Sequence, residues 1–271
     1  MNLFLNSERQ LRNGWWIVIF ILVLVSILLP TLLFAQKSSM NISMGVQAVI
    51  IFLASYLCQL LRRQPLIEML GKFDIRWCKD FFLGSLIGSA LMLIPALVLS
   101  IFGLVGWQWN SASLSVISSG IFLFIGVAIA EEVLFRGFVF QRLIAGLGEW
   151  PAQLIVAVFF LLTHLNNPGM SGTIKLMAGI NIFLASIMFG LAFIRTKSLA
   201  MPLGLHFMAN WVQGGLLGFG VSGTNQSGLL KPVLPEGLEW VTGGNFGLEA
   251  SIFGLLLVVI TLILLYKWKP S

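Results

Sequence analysis

Charge is what this 271-residue sequence has least of: Asp, Glu, Lys and Arg together make up 10% of it. A soluble domain carries roughly a quarter charged residues, so water is not the solvent of most of this chain. The apolar residues, 58% of the total, fall in long runs rather than at amphipathic spacing, which excludes one large soluble core. Histidine and cysteine are almost absent, with two of each. Cys58 stands in an apolar run and Cys78 in a basic connector; this excludes a disulfide framework, and neither reads as a ligand or nucleophile. A His-Glu-x-x-His segment is also missing, so the usual zinc-protease signature is not met. The 16 Lys and Arg exceed the 10 Asp and Glu, but they form no basic stripe or aromatic-interleaved patch, which argues against nucleic acid as a partner.

What is present is a series of apolar runs separated by short polar connectors, the pattern of membrane spans in contact with the lipid bilayer. Eight are expected, at about 15–35, 43–61, 81–104, 117–146, 151–166, 174–194, 199–219 and 247–266. The expected fold is an all-α, polytopic membrane helix bundle, a single integral membrane domain over 1–271. The first run follows Arg9 and Arg12 as a signal peptide would, but it is longer than a signal core. Leu33 also ill suits a small-x-small cleavage pattern, so the run is read as a span.

Twelve Lys and Arg fall in the two terminal segments and the second-to-third, fourth-to-fifth and sixth-to-seventh connectors, against three (Lys37, Lys175, Lys231) in the others. That bias puts both termini in the cytoplasm. An even number of spans also places them on one side. The connector 220–246, rich in Gly, Pro, Ser and Asn, reads as an outside loop rather than a domain. Gly84 and Gly88, with Gly204, Gly214, Gly215 and Gly218, permit close helix packing. Trp15, Trp16 and Trp268 read as interfacial anchors.

An ionisable residue deep in a span is costly, and so is a functional candidate by default. Both histidines, His164 and His206, lie in spans, as does the acid pair Glu131-Glu132 with Arg136. Counted from a turn near residue 148, Glu131 lies 17 residues before it and His164 16 after it. At 1.5 Å per residue both sit about 25 Å along antiparallel neighbouring helices, so they can meet.

Adjacent helical residues point about 100° apart, so the two acids cannot face one spot. Glu132 and Arg136, spaced i,i+4, form a favourable ion pair, which leaves Glu131 the freer carboxylate. A carboxylate beside a histidine suits general-base activation of water. His206 and Asn210, also i,i+4, present two donors suited to a developing oxyanion. Together these groups make a hydrolase constellation. Taken singly, each histidine also fits an interhelical hydrogen-bonder, and Asn210 fits packing glue. Two other classes are open: a proton-coupled carrier, and a non-catalytic membrane binding or immunity protein. A carrier calls for an inverted repeat and paired broken helices, and the sequence shows neither.

In order and spacing, Glu131-Glu132-x-x-x-Arg136, Phe160-x-x-x-His164 and His206-x-x-x-Asn210 resemble the motifs of the CPBP family of intramembrane proteases. That family covers type II CAAX prenyl endopeptidases and bacteriocin-processing, abortive-infection-like proteins. The resemblance spans 131–210. It implies an endopeptidase cutting a membrane-associated or prenylated peptide or protein that enters from the membrane or the cytoplasmic side. It further implies that Glu131 and His164 activate the attacking water and that His206 and Asn210 stabilise the oxyanion. Glu132 and Arg136 would hold the site in shape, and Phe160 would be a packing residue. The family is described as metalloproteases; whether a divalent metal such as zinc binds is left open, with Glu131, His164 and His206 as its ligands if one does. A bacterial inner membrane is the location the resemblance implies.

Overall fold

The computed structural model describes residues 3–110 and 114–269. All eight expected runs are helical in it. Helix α1 (Asn13–Lys37) and α2 (Met44–Leu61) come first, and a short α3 (Leu66–Leu70) leads into α4 (Ile75–Ile101). Next, α5 (Leu114–Glu132) runs through a π turn (Val133–Gly137) into α6 (Phe138–Leu147), followed by α7 (Glu149–His164) and α8 (Gly172–Thr196). Helix α9 (Ala200–Asn210) continues as a second π turn (Trp211–Leu216); after it come a short α10 (Glu239–Thr242), a 3-10 turn (Leu248–Ala250) and α11 (Ile252–Lys267). Five helical segments are long and apolar enough to cross a membrane: α1, α2, Leu66–Ile101, Val116–Leu147 and α8. Helices α7 and α11 are shorter and also apolar. Large apolar side chains such as Ile21, Leu22, Leu33 and Phe34 face outward, as contact with lipid requires.

Helix ends follow local chemistry. Ser43 caps α2 by accepting from the Val46 N–H, and Asp74 caps α4 by accepting from Arg76 and Trp77. Between α6 and α7 the chain turns on Gly148 at φ +90°, a conformation that a side chain would strain.

The basic connectors gather at one end of the bundle. Arg142 donates to Asn13 and Glu68, Arg62 donates to Glu68, and Lys197 meets Glu149. Arg195 donates to the Leu265 carbonyl, which ties the α8 end to that of α11. At the other end β1 (Gly106–Trp109) pairs antiparallel with β2 (Leu230–Val233). The connector 220–246 is therefore more than the plain loop expected, since it carries β2 and α10. The third-to-fourth connector supplies the partner strand, so each satisfies the other's backbone polar groups.

Helices α4 and α9 cross most closely, for the reason the glycines suggest. A Cβ at Gly84 or Gly88 would lie 2.1 Å from the carbonyl oxygen of Met201 or Leu205, and one at Gly204 would lie 2.1 Å from that of Phe81. Hydrogen in place of a side chain lets the two backbones touch, and this contact fixes α9, which carries His206, against the bundle.

Candidate active site

Helix α5 ends on the acid pair and passes directly into its π turn; α9 ends on Asn210 and does the same. Single π turns within α-helices are frequent at functional sites, and both of these begin at the residue after a motif position.

The polar core starts from Arg136. Its side chain is fully buried, as is that of Glu132, at 3.3 Å from Nη1 to Oε1. Arg136 Nη2 donates to the Ser186 carbonyl at 2.9 Å and to Ser186 Oγ at 2.8 Å, which ties the π turn to α8. The guanidinium carbon lies 4.9 Å from the Phe160 ring centre and 5.1 Å from that of Phe189. A buried charge survives only when paired and hydrogen-bonded, and here aromatic faces add cation–π contact. Phe160 is buried and meets Phe135 edge-on, the packing role the motif implies.

His206 joins this core to the cavity. Its Nδ1 donates to Glu132 Oε1 at 2.7 Å, while its Nε2 lies 3.8 Å from Glu131 Oε2. Phe189 stacks on the imidazole at 4.8 Å between ring centres. Glu131 keeps 22% of its side-chain surface exposed where Glu132 keeps none, so Glu131 is the carboxylate that opens on the cavity. That cavity measures about 480 Å³, and Glu131, His164, His206 and Asn210 all line it. Most of the remaining wall is apolar, with Leu91, Phe124, Val127, Ile182 and Met188 among it. The size and character suit a ligand site.

The histidine in direct reach of the acid pair is His206. His164 is on the same cavity, but its Nδ1 is 2.7 Å from the Phe160 carbonyl and 3.2 Å from Thr163 Oγ1. The expected meeting of Glu131 with His164 is not among the ion pairs of the described residues, whereas Glu131 lies 3.8 Å from His206. The metal ligand set offered by the sequence, Glu131, His164 and His206, is not gathered as one. Among the described residues no group of three or more His, Cys, Asp or Glu side chains stands close enough to hold a metal ion. His206 is engaged by Glu132 and His164 by its own helix.

Several polar cavity residues escaped the sequence reading, among them Asn181, Gln213 and Glu249. Glu249 accepts from the Ser222 N–H and hydroxyl and from Gln213 Nε2. It fell inside the run expected at 247–266, so the rule that flagged Glu131 applied to it as well. Asn181 and Gln213 carry no charge and gave no such signal.

Fold and site together define a polytopic helical membrane protein with a carboxylate–histidine cluster opening on a cavity between its helices. The family model described as type II CAAX prenyl endopeptidase Rce1-like matches residues 112–212, a segment that holds every motif position from Glu131 to Asn210. This bears out the resemblance read from the motifs over that segment, and the five helical segments long and apolar enough to cross a membrane fit an integral membrane protein. No curated protein matches the chain.

Proposed function

We propose that the chain hydrolyses a peptide bond within the membrane, with Glu131 as general base. The observation that carries this reading is the chain of contacts Arg136–Glu132–His206–Glu131, anchored in the core at one end and open to the cavity at the other.

Glu131 takes a proton from water as the water oxygen attacks the scissile carbonyl carbon. The carbonyl oxygen becomes an oxyanion, which His206 Nε2–H and the Asn210 amide stabilise from the cavity wall. Glu132 accepts from Nδ1–H, which fixes the imidazole's orientation. Arg136 in turn holds Glu132. On collapse the C–N bond breaks, and Glu131 returns its proton to the leaving amine. His164 assists from the facing wall, as the family resemblance implies.

The mostly apolar cavity suits a membrane-associated or prenylated peptide that enters from the bilayer or the cytoplasmic side. Eight spans in a single domain, both termini in the cytoplasm and a bacterial inner membrane complete the proposal. The 12-to-3 distribution of Lys and Arg supports the orientation.

The test compares purified wild type with Glu131→Ala on a fluorogenic peptide library that includes farnesylated CAAX peptides, with and without a chelator. Cleavage by wild type that Glu131→Ala abolishes is the expected result. Equal cleavage by both proteins removes Glu131 from the chemistry. The chelator arm decides whether a metal takes part.

A further inference from the structure

We propose that Asn181 and Gln213 form a subsite that binds one backbone peptide group of the substrate, about three to four residues from the bond that is cut. This rests on reading the cavity as an endopeptidase site.

Asn181, Ile182, Ala185, Met188 and Phe189 all line the cavity. Their spacing, i, i+1, i+4, i+7 and i+8, is one face of a helix, so α8 presents Asn181 to the same space as Phe189. The stacking of Phe189 on His206 sets the register of α8 against α9. Asn181 lies eight residues before Phe189, and Gln213 lies seven after His206. The two helices run antiparallel, so both displacements point to the end of the bundle that carries β1 and β2. At 1.5 Å per residue the first comes to about 12 Å, and the second, which enters the π turn at Trp211, to no more than about 10 Å, which puts the two amides near one level.

Both amides are incomplete. Asn181 is 3% exposed, and its Nδ2 has no hydrogen-bond partner among the described residues. Gln213 is 2% exposed, and its Oε1 likewise has none. The orientation of Gln213 is fixed by its other end, because Nε2 donates to the Gly220 carbonyl at 2.8 Å and to Glu249 at 3.2 Å. The free atom is therefore the oxygen. Buried polar atoms left without a partner are rare and costly. Here one donor and one acceptor share a cavity with the proposed catalytic groups. A peptide group offers one C=O and one N–H, the complement of that pair. An extended chain advances about 3.3 Å per residue, so an offset of 10–12 Å corresponds to three or four residues.

The test measures kcat/KM on fluorogenic farnesylated CAAX peptides extended by one to five residues at either end. Wild type, Asn181→Leu, Asn181→Asp and Glu131→Gln are compared, and melting temperature in detergent is recorded for each. For wild type, kcat/KM should rise about tenfold when the peptide reaches the third or fourth residue at one end, the gain of one added hydrogen bond. Asn181→Leu, close in shape, should melt no lower than wild type yet lose that step through KM. Asn181→Asp replaces the donor with an acceptor and should lose it too. An active wild type with the same length dependence in Asn181→Leu overturns the subsite and leaves the protease reading standing. A lower melting temperature for Asn181→Leu also overturns it, by assigning the amide to the fold. A wild type as inactive as Glu131→Gln on every peptide overturns the protease reading and the subsite with it.

Discussion

His206 donates through Nδ1 to Glu132 Oε1 at 2.7 Å. That bond separates the duties of two acids that are neighbours in sequence. Glu132 is fully buried and shares one oxygen between His206 and Arg136, while Glu131 faces the other imidazole nitrogen from the cavity. Adjacent residues of a helix point about 100° apart, so a single imidazole touches both only by lying between their directions, with one ring nitrogen toward each.

Glu131→Gln should leave the fold intact and stop the chemistry. The side chain is partly exposed and lies 3.8 Å from His206, so little packing depends on its charge. Loss of a general base costs about 10²–10⁴-fold in rate. Turnover of a cleavable peptide, measured beside a thermal melt in detergent, should show a large fall in kcat with no fall in melting temperature. Wild-type kcat in this variant would falsify the role given to Glu131.

Arg136→Met should do the reverse and damage the fold first. Its removal leaves the wholly buried Glu132 carboxylate with His206 alone and also frees the Ser186 carbonyl and hydroxyl. Breaking one side of a buried ion pair costs about 3–5 kcal/mol. The thermal melt should drop sharply. In Arg136→Met/Glu132→Leu, where both charges are gone, much of that stability should return without activity. A single variant that melts like wild type would mean that the pair does not hold the site.

Much of this arrangement was legible in the sequence, because in lipid an apolar run has few choices but a helix. Each of the eight expected runs is helical, and Gly84, Gly88 and Gly204 do bring α4 and α9 into backbone contact. The Glu132–Arg136 pair followed from i,i+4 spacing alone. What lay beyond reach was tertiary. A π turn has no compositional signature, so the sequence did not reveal that both motif helices are interrupted just past Glu132 and Asn210. Which histidine meets the acid pair depends on how α9, which carries His206, seats against α4. The β1–β2 pairing joins segments more than a hundred residues apart, with only four residues in each strand. Asn181 and Gln213 drew no notice because an uncharged amide in a span looks like ordinary packing until its partners are counted.

Gly88→Val should break the α4–α9 crossing. Its Cβ would fall 2.1 Å from the Leu205 carbonyl oxygen, a backbone atom that no rotamer change can move. Overpacking of this kind costs about 1–3 kcal/mol or more, and the strain falls on the helix that carries His206. Both the melting temperature and the cleavage rate should drop. Gly120→Ala is the control: nothing lies within 4 Å of its Cβ on α5. Replacing a helical Gly with Ala there should be neutral or should stabilise by about 0.5–1 kcal/mol. If the two variants melt alike, the close crossing is not what fixes α9.

The two native cysteines report the orientation without any engineering. Cys78, in the first turn of α4, is exposed, and Cys58, in the last turn of α2, is buried. Cys78 sits among Lys72, Arg76 and Lys79 in a connector that the positive-inside rule assigns to the cytoplasm. A membrane-impermeant maleimide applied to intact spheroplasts should therefore leave the chain unlabelled. In inverted membrane vesicles it should add one label, which Cys78→Ser removes. Cys58 should react in neither preparation until the protein is denatured, since a thiol without solvent access presents no thiolate to the reagent. Labelling of Cys78 in intact spheroplasts would invert the orientation. The cavity end that carries β1 and β2 would then face the cytoplasm, and a cytoplasmic substrate would meet Asn181 and Gln213 before it reached Glu131.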